Sequence, residues 1–108
     1  MLHKFNNLVL KYSRKNRNIA FYAEKLNVSI SYLNNSVKLH SGEPPGQIIR
    51  NKILLEAKRL LAHSNLNVAE IGYRLTFEDP SYFCRFFKRE TQMTPLEFRS
   101  HMREKCHF

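Results

Sequence analysis

The chain has 108 residues, enough for one compact domain with a modest core and too few for two domains of usual size. Its hydrophobic content of 43% excludes a disordered chain. Its 18 Lys and Arg against nine Asp and Glu give a formal net charge of +9, which favours an acidic partner, most often nucleic acid and less often an anionic membrane surface; a soluble domain that is simply basic is the alternative.

The cysteine and histidine residues lack the spacing of a metal site. Cys84 and Cys106 form no CxxC pair, the five histidines are scattered, and the adjacent Cys106 and His107 have no partner pair. No apolar run approaches the roughly 20 residues of a membrane span, and no signal-peptide pattern opens the chain. The sequence therefore predicts a soluble cytoplasmic protein without a bound metal or cofactor.

Apolar residues recur at helical spacing in the first third of the chain. The pattern predicts a first helix over about 2–12. Asn18 is expected to cap a short second helix, and Ser29 a third. On the third helix, Leu33 and Val37 should face inward.

The segment "SGEPPG" (41–46) is the strongest internal break, because proline and glycine stop helices. The following segment, 47–64, has the longest helical pattern. Its wide apolar surface predicts neighbours on more than one side, which argues against a role at a membrane surface. That surface consists of Ile48, Ile49, Ile53, Leu54, Leu55, Ala57, Leu60 and Leu61.

Three further helix starts have a physical signature. Asn67 stands three residues before Glu70, as in a capping box. Asp79 precedes a proline at the first helical position, where the missing N–H costs nothing. Thr94 begins "TPLE", which combines both devices for a last helix to about residue 104. The sequence thus predicts an all-α fold of about seven helices.

The chain contains an internal repeat. "IAFYAEKL" (19–26) matches "VAEIGYRL" (68–75), 49 residues later. Each is followed by a turn and then by a second helix, "SYLNNSVK" (31–38) or "SYFCRFFK" (81–88), and the second turn is one residue longer. This is the pattern of a helix-turn-helix, whose second helix enters the DNA major groove. A plain helical hairpin is the alternative, but two such units on a basic chain favour DNA binding.

The helix between the repeats adds a geometric expectation. A small residue, Ala23 or Gly72, stands where the two helices of each unit should cross closely. A linking helix of about 17 residues spans roughly 25 Å. Together with the flanking helices, it could place the second helices about 34 Å apart, one DNA turn. Both could then enter successive major grooves.

The run "VAEIGYRLTFEDPSYFCRFFKRETQMTPLEFR" (68–99) resembles the second helix-turn-helix of the AraC/XylS family of bacterial transcription regulators. "AEKLNVSISYL" (23–33) and "EAKRLL" (56–61) resemble its first motif and its linking helix. The resemblance implies a single DNA-binding domain over 1–108 that contacts RNA polymerase, usually as an activator. It also implies a separate sensor or dimerisation domain, which these residues do not include.

Within that domain, the expected parts are a first helix-turn-helix subdomain (1–46), the linking helix (47–64) and a second subdomain (65–108). Three residues depart from the family pattern. Thr76 and Gln92 replace glycines, and Ile53 replaces a frequent arginine. The first two should strain their turns, because glycine suits left-handed backbone angles.

In the first unit, burial of the apolar side leaves a polar face on the second helix. Asparagine can pair bidentately with adenine, and serine can bond several bases or a phosphate. Solvated polar residues without a ligand are the alternative. The predicted contacts are Ser31, Asn34, Asn35 and Lys38.

In the second unit, Phe83 and Phe87 should anchor the helix, with Tyr82 and Phe86 against neighbouring helices rather than stacked on bases. Helical spacing then leaves an outward face of Ser81, Cys84, Arg85, Lys88 and Arg89. The resemblance implies base-facing places for Pro80, Ser81, Cys84 and Arg85, and Lys88 and Arg89 are expected to contact phosphates. Of these, Arg85 is the expected guanine contact.

The sequence therefore predicts a sequence-specific regulator, with activation the expected sign, that binds double-stranded DNA. A basic helical adaptor for RNA or acidic protein is the alternative. An enzyme is not predicted, because the chain lacks a Gly-rich phosphate loop, paired catalytic carboxylates and spaced metal ligands.

Overall fold

In a computed structural model, which describes residues 1–105, the chain is all-α, as predicted. The described residues form seven helices and no strand. Cys106 and His107, for which no metal site was predicted, lie outside the described residues. The helices are α1 (Leu2–Tyr12), α2 (Ile19–Lys25), α3 (Ile30–Ser41), α4 (Pro45–His63), α5 (Val68–Arg74), α6 (Pro80–Thr91) and α7 (Pro95–Lys105).

The predicted caps begin the helices of the first half. The side chain of Asn18 accepts a hydrogen bond from the Ala20 N–H at 3.0 Å, and Ser29 Oγ accepts one from the Tyr32 N–H at 3.0 Å. Each bond satisfies an amide that the first helical turn leaves without a partner. The helix starts therefore follow from local sequence.

The caps of the second half are also confirmed. Asn67 and Glu70 form a reciprocal capping box, with distances of 2.8 and 2.9 Å. Thr94 and Glu97 exchange the same pair of bonds, at 2.8 and 3.1 Å. The hydrogen bond that the Glu97 carboxylate accepts from the Thr94 N–H, together with the Thr94 side chain, lowers the pKa of this carboxyl. Asp79 accepts from the Ser81 N–H at 2.8 Å, directly before the proline that opens α6.

The chain divides into two compact units, Met1–Ile53 and a second unit that begins at Leu54. The boundary falls within α4, so each unit has its own part of that helix. The core of unit 1 consists of Phe5, Val9, Tyr22, Ala23, Leu33, Val37, Ile49 and Ile53. The core of unit 2 consists of Ala57, Leu60, Leu61, Ile71, Leu75, Phe83, Phe86 and Phe87.

Two side chains that we expected to be covered are exposed. Leu55, on the predicted apolar surface of α4, is 60% exposed, because the buried side of the helix is narrower than expected and consists of Ile49, Ile53, Ala57, Leu60 and Leu61. Tyr82, expected against a neighbouring helix, is 54% exposed. It lies in the first turn of α6, where Phe83 is the fully buried aromatic residue.

The predicted strain at the departures from glycine is present. Thr76 and Gln92 have φ values of 63° and 67°, in the left-handed region. The matching positions of the first unit, Asn27 and Gly42, have φ values of 56° and 82°. Both units thus use a left-handed residue after their first helix and another after their second, which extends the repeat beyond the segments matched by sequence.

No helix within residues 1–105 combines the length and the apolar character needed to cross a membrane. Nor do those residues contain a group of three His, Cys, Asp or Glu side chains that could hold a metal ion.

Candidate nucleic-acid interface

The two helices of the first unit meet through a tight turn and a buried face. The Val28 N–H donates to the Ala23 carbonyl at 3.0 Å and closes the turn between α2 and α3. Leu33 and Val37 are fully buried, as predicted. The predicted contact residues are all on the exposed side of α3: Ser31, Asn34, Asn35 and Lys38.

The second unit repeats this turn, and its two helices cross closely. The Phe77 N–H donates to the Gly72 carbonyl at 3.0 Å. A Cβ atom added to Gly72 would lie 3.3 Å from the Cβ of Phe83, tighter than an ordinary van der Waals contact. The prediction that a small residue permits a close crossing of α5 and α6 is therefore confirmed.

Aromatic side chains fix α6 from its buried side. Phe83 and Phe86 lie 5.4 and 5.5 Å from the ring of Phe77, between ring centroids. Phe87 is 5.4 Å from the ring of Phe98 on α7, in an edge-to-face arrangement. Such contacts restrict both translation and rotation of the helix, so the opposite side of α6 has a defined orientation.

That opposite side is basic. Ser81, Arg85, Lys88 and Arg89 are exposed, and Pro80 and Cys84 are half-buried. Burial raises the pKa of the Cys84 thiol, which keeps it neutral. The structure therefore places all six predicted residues of the second unit on one short helix, although Pro80 and Cys84 are less accessible than the sequence suggested.

The charged groups of α6 differ in their neighbours. The Arg85 guanidinium carbon lies 4.8 Å from the centre of the Tyr82 ring. The Arg89 Nε atom lies 3.5 Å from Glu90 Oε2, so Arg89 has a carboxylate neighbour that Arg85 does not have within its own helix. Hydrogen bonds from the Ser81 N–H and hydroxyl lower the pKa of the Asp79 carboxyl, and the charge of Arg85 lowers it further.

The four predicted contact positions of α3 each have a counterpart on α6, 50 residues later. Ser31 corresponds to Ser81, and Lys38 corresponds to Lys88. Between these matched ends, α3 presents Asn34 and Asn35, whereas α6 presents a thiol and a guanidinium. The two helices thus share a scaffold and differ in the groups that could contact bases.

Arg99 on α7 was not predicted from the sequence, and it holds α7 to the end of α4 and to the segment that follows. Its Nε atom donates to the Leu61 carbonyl at 2.9 Å and its Nη2 atom to the Leu66 carbonyl at 2.6 Å. Arg103 donates to the Ser64 carbonyl at 3.1 Å. Burial lowers the pKa of Arg99, and the charge of Arg103 adds to this. The acceptors lie more than 30 residues away, so no local pattern could have revealed them.

Tyr82 was also misplaced, and here the sequence held a signal. The repeat puts Tyr32 at the corresponding position of α3, and that ring is 54% exposed too. A tyrosine in the first turn of both second helices indicates a shared exposed environment, which the helical spacing of Tyr82 and Phe86 concealed.

A helix-turn-helix domain profile matches residues 22–101 of the chain. The chain belongs to the AraC/XylS family. It is therefore a DNA-binding domain of a transcription regulator rather than an enzyme. The similarity spans both repeated units, with the exposed residues of α3 and α6 inside it.

Relatives agree with this assignment. The transcriptional activator RhaS of Salmonella arizonae is 35% identical over 77 residues, which cover 71% of this chain and 28% of RhaS. The chain thus corresponds to little more than a quarter of that relative's length.

Solved structures share the fold. The C-terminal domain of the response regulator YesN from Fusobacterium nucleatum has a TM-score of 0.81 and 30% identity, over 88% of this chain and 93% of that one. The DNA-binding domain of AdpA, solved with a target DNA, has a TM-score of 0.85 and 22% identity, over 96% and 94%. At that identity the second likeness is one of fold alone.

Proposed function

We propose that this chain binds a specific double-stranded DNA site through α3 and α6, which act as the recognition helices of its two units. The main observation behind the proposal is that aromatic contacts fix the buried side of α6, while its opposite side is exposed and basic. A helix held in this way presents its donors to DNA without losing much conformational freedom. In the first unit, α3 offers a matching polar face over a buried Leu33 and Val37.

The exposed residues divide into two chemical groups. Those suited to base edges are Ser31, Asn34 and Asn35 on α3, and Pro80, Ser81, Cys84 and Arg85 on α6. Those suited to phosphates are Lys38, Lys88 and Arg89, because an ammonium or a partly paired guanidinium attracts the DNA backbone without distinguishing bases. Arg85 is the one guanidinium among the base-facing set.

We also propose that residues 1–108 act as one DNA-binding domain, with parts at 1–46, 47–64 and 65–108, and that α3 and α6 enter successive major grooves of one site. The repeat supports two contact blocks in one site. The two helices have the same length, 12 residues, and each is followed by a left-handed residue.

We also propose that the protein containing this chain activates transcription in the bacterial cytoplasm, with RNA polymerase as a partner. The support is the similarity to RhaS, which is named as a transcriptional activator. A sensor or dimerisation domain is proposed as a further part of that protein, since the chain matches only 28% of RhaS. The net charge of +9 fits a nucleic-acid partner better than a membrane.

Selection of bound sites from a random duplex pool tests this proposal. We expect enrichment of one asymmetric site of about two DNA turns or slightly less, with two separated blocks of preferred bases. In the same assay, RNA of equal length should compete far more weakly than the selected duplex. Binding without base preference, or equal competition by RNA, would instead support a basic adaptor.

A further inference from the structure

We propose that Tyr82 is a positioning residue, which orients the Arg85 guanidinium for base recognition. The inference rests on the proposed function of α6 and adds a residue that sequence reasoning had assigned to the core. Its basis is the placement of an exposed aromatic ring beneath an exposed cation, one helical turn apart.

The contact has the geometry of a cation–π interaction. The guanidinium carbon of Arg85 lies 4.8 Å from the centre of the Tyr82 ring, inside the 6 Å limit for this attraction. Residues three apart on a helix are neighbours on its surface, so the contact needs no distortion of α6. The Tyr82 ring is 54% exposed and belongs to the same solvent-facing side as Arg85.

A ring that contacts the face of a guanidinium leaves the hydrogen-bonding capacity of that group intact. An arginine has five N–H donors in the plane of the group, and an aromatic ring contacts only the face of that plane. Within residues 1–105, the Arg85 side chain donates no hydrogen bond to another residue of the chain. Its donors therefore remain available to the O6 and N7 acceptors of a guanine.

The neighbouring carboxylate does not compete for Arg85. Asp79 Oδ1 accepts from the Ser81 N–H and from the Ser81 hydroxyl, both at 2.8 Å. It caps α6, and it influences Arg85 only through its charge. The ring is thus the group of α6 that touches the guanidinium and limits its orientations.

Arg89, the other α6 cation near a ring, differs from Arg85 in its distance from that ring and in its neighbours. Arg89 lies farther from a ring, 5.9 Å from Phe86, and is near Glu90. Tyr32 occupies the position of Tyr82 in the first unit, but the residue three positions later is Asn35, which carries no charge. Tyr32 therefore provides a matched control: the same residue type, helix position and exposure, without a cation to orient.

The test measures binding of the 108-residue protein to its selected site and to variants of that site at every position. In Tyr82→Leu we expect the preference at the position specified by Arg85 to fall about two- to five-fold, the range of an exposed cation–π contact. Tyr82→Phe keeps the ring and should retain the wild-type preference. Tyr32→Leu should leave that position unchanged.

A double-mutant cycle separates orientation of Arg85 from any direct contact of Tyr82 with DNA. In an Arg85→Ala background, Tyr82→Leu should cause no further loss at that position. Equal loss with and without Arg85, or a loss in Tyr82→Phe, would overturn the inference in favour of a direct role for the tyrosine. An unchanged preference in Tyr82→Leu, with Arg85→Ala still effective, would overturn the inference alone.

Failure of the wild-type protein to select any duplex site would refute the proposed function and, with it, this role. A readout without DNA accompanies the cycle. The guanidinium protons of Arg85 should show an upfield ring-current shift in the NMR spectra of the wild type and Tyr82→Phe, and lose it in Tyr82→Leu. Absence of that shift in the wild type would also overturn the inference.

Discussion

Gln92 and Gly42 occupy the same position in the two units, directly after the second helix, and both have left-handed backbone angles, with φ of 67° and 82°. The residues before them also match. Ser41 Oγ donates to the Val37 carbonyl at 2.7 Å, and Thr91 Oγ1 donates to the Phe87 carbonyl at 2.8 Å. Each hydroxyl also lies within hydrogen-bond distance of the backbone carbonyl two residues later. One turn structure is therefore built twice, once with glycine and once without.

This difference predicts a stabilising substitution. Gln92→Gly should increase the free energy of unfolding by about 0.5–1 kcal/mol, because a Cβ atom disfavours the left-handed conformation that the turn requires. The reciprocal change, Gly42→Gln, should decrease it by about 1 kcal/mol, since no atom within 4 Å of the added Cβ compensates for the strain. Urea unfolding of both variants checks the pair, and a destabilised Gln92→Gly would contradict the strain.

Arg99 should be required for stability and not for base preference. Arg99→Ala removes hydrogen bonds to the Leu61 and Leu66 carbonyls and leaves part-buried acceptors unpaired, which should cost about 1.5–3 kcal/mol. Arg103→Ala, which loses one exposed bond, is the control and should cost less than about 1 kcal/mol. Denaturant unfolding measures both. A changed base preference in folded Arg99→Ala would place this residue at the interface instead.

Substitution of two basic residues of α6 should affect specificity differently: one should reduce base preference, and the other should lower affinity without changing it. Arg85→Ala should relax the preference at one base pair by about 1–3 kcal/mol, as expected for a lost bidentate guanine contact. Lys88→Ala should weaken binding to all sequences alike and reduce the salt slope by about one, as expected for a lost phosphate contact. Affinities for a panel of site variants at several salt concentrations test the assignments. Equal loss on every sequence in Arg85→Ala would refute its role in base recognition.

Cys84 offers a chemical test of the α6 face. Its thiol is half-buried, and burial raises its pKa, so alkylation should proceed slowly at neutral pH and faster in alkali. In a Cys106→Ser background, complete alkylation of Cys84 should abolish specific binding, and bound DNA should protect the thiol. Unchanged affinity after full modification, shown by mass spectrometry, would remove Cys84 from the interface.

Tyr22 should make the protein sensitive to alkali. The side chain is fully buried, its hydroxyl donates to the Asn16 carbonyl at 2.7 Å, and burial raises its pKa to about 12 from 10. Because the neutral form is the one stabilised by folding, this contribution is complete below pH 10 and is lost between pH 10 and 12. Tyr22→Phe should cost about 0.5–1.5 kcal/mol at pH 8 and weaken the alkaline dependence.

The alkaline effect is measured by unfolding at fixed pH values from 8 to 12, together with tyrosinate absorbance. One tyrosine of the wild type should ionise late, and this component should disappear in Tyr22→Phe. An unfolding curve with the same pH dependence in both proteins would show that Tyr22 is not the responsible group.

Much of the site followed from sequence because its elements depend on short-range chemistry. The caps at Asn67 and Asp79, and the left-handed residues at Thr76 and Gln92, involve partners within four positions along the chain. The polar face of α3 followed in the same way, since two buried residues four apart fix the opposite side of a helix. The structure confirms that the polar side chains of α3 are exposed, whereas their contact with DNA stays a prediction.

The sequence by itself determined the seven helices, most of their starting caps and the two repeated units, because hydrogen bonds and apolar spacing within each segment specify them. The predicted start of α4 was wrong: the helix begins at Pro45, inside the segment expected to be a break, because a proline is tolerated in the first turn of a helix. Only the tertiary structure decided that Tyr82 is exposed beside Arg85 and that Arg99 binds carbonyls more than 30 residues away. The reason is that covering one side of a helix depends on which other segments pack there, and the residues of one segment do not specify those neighbours.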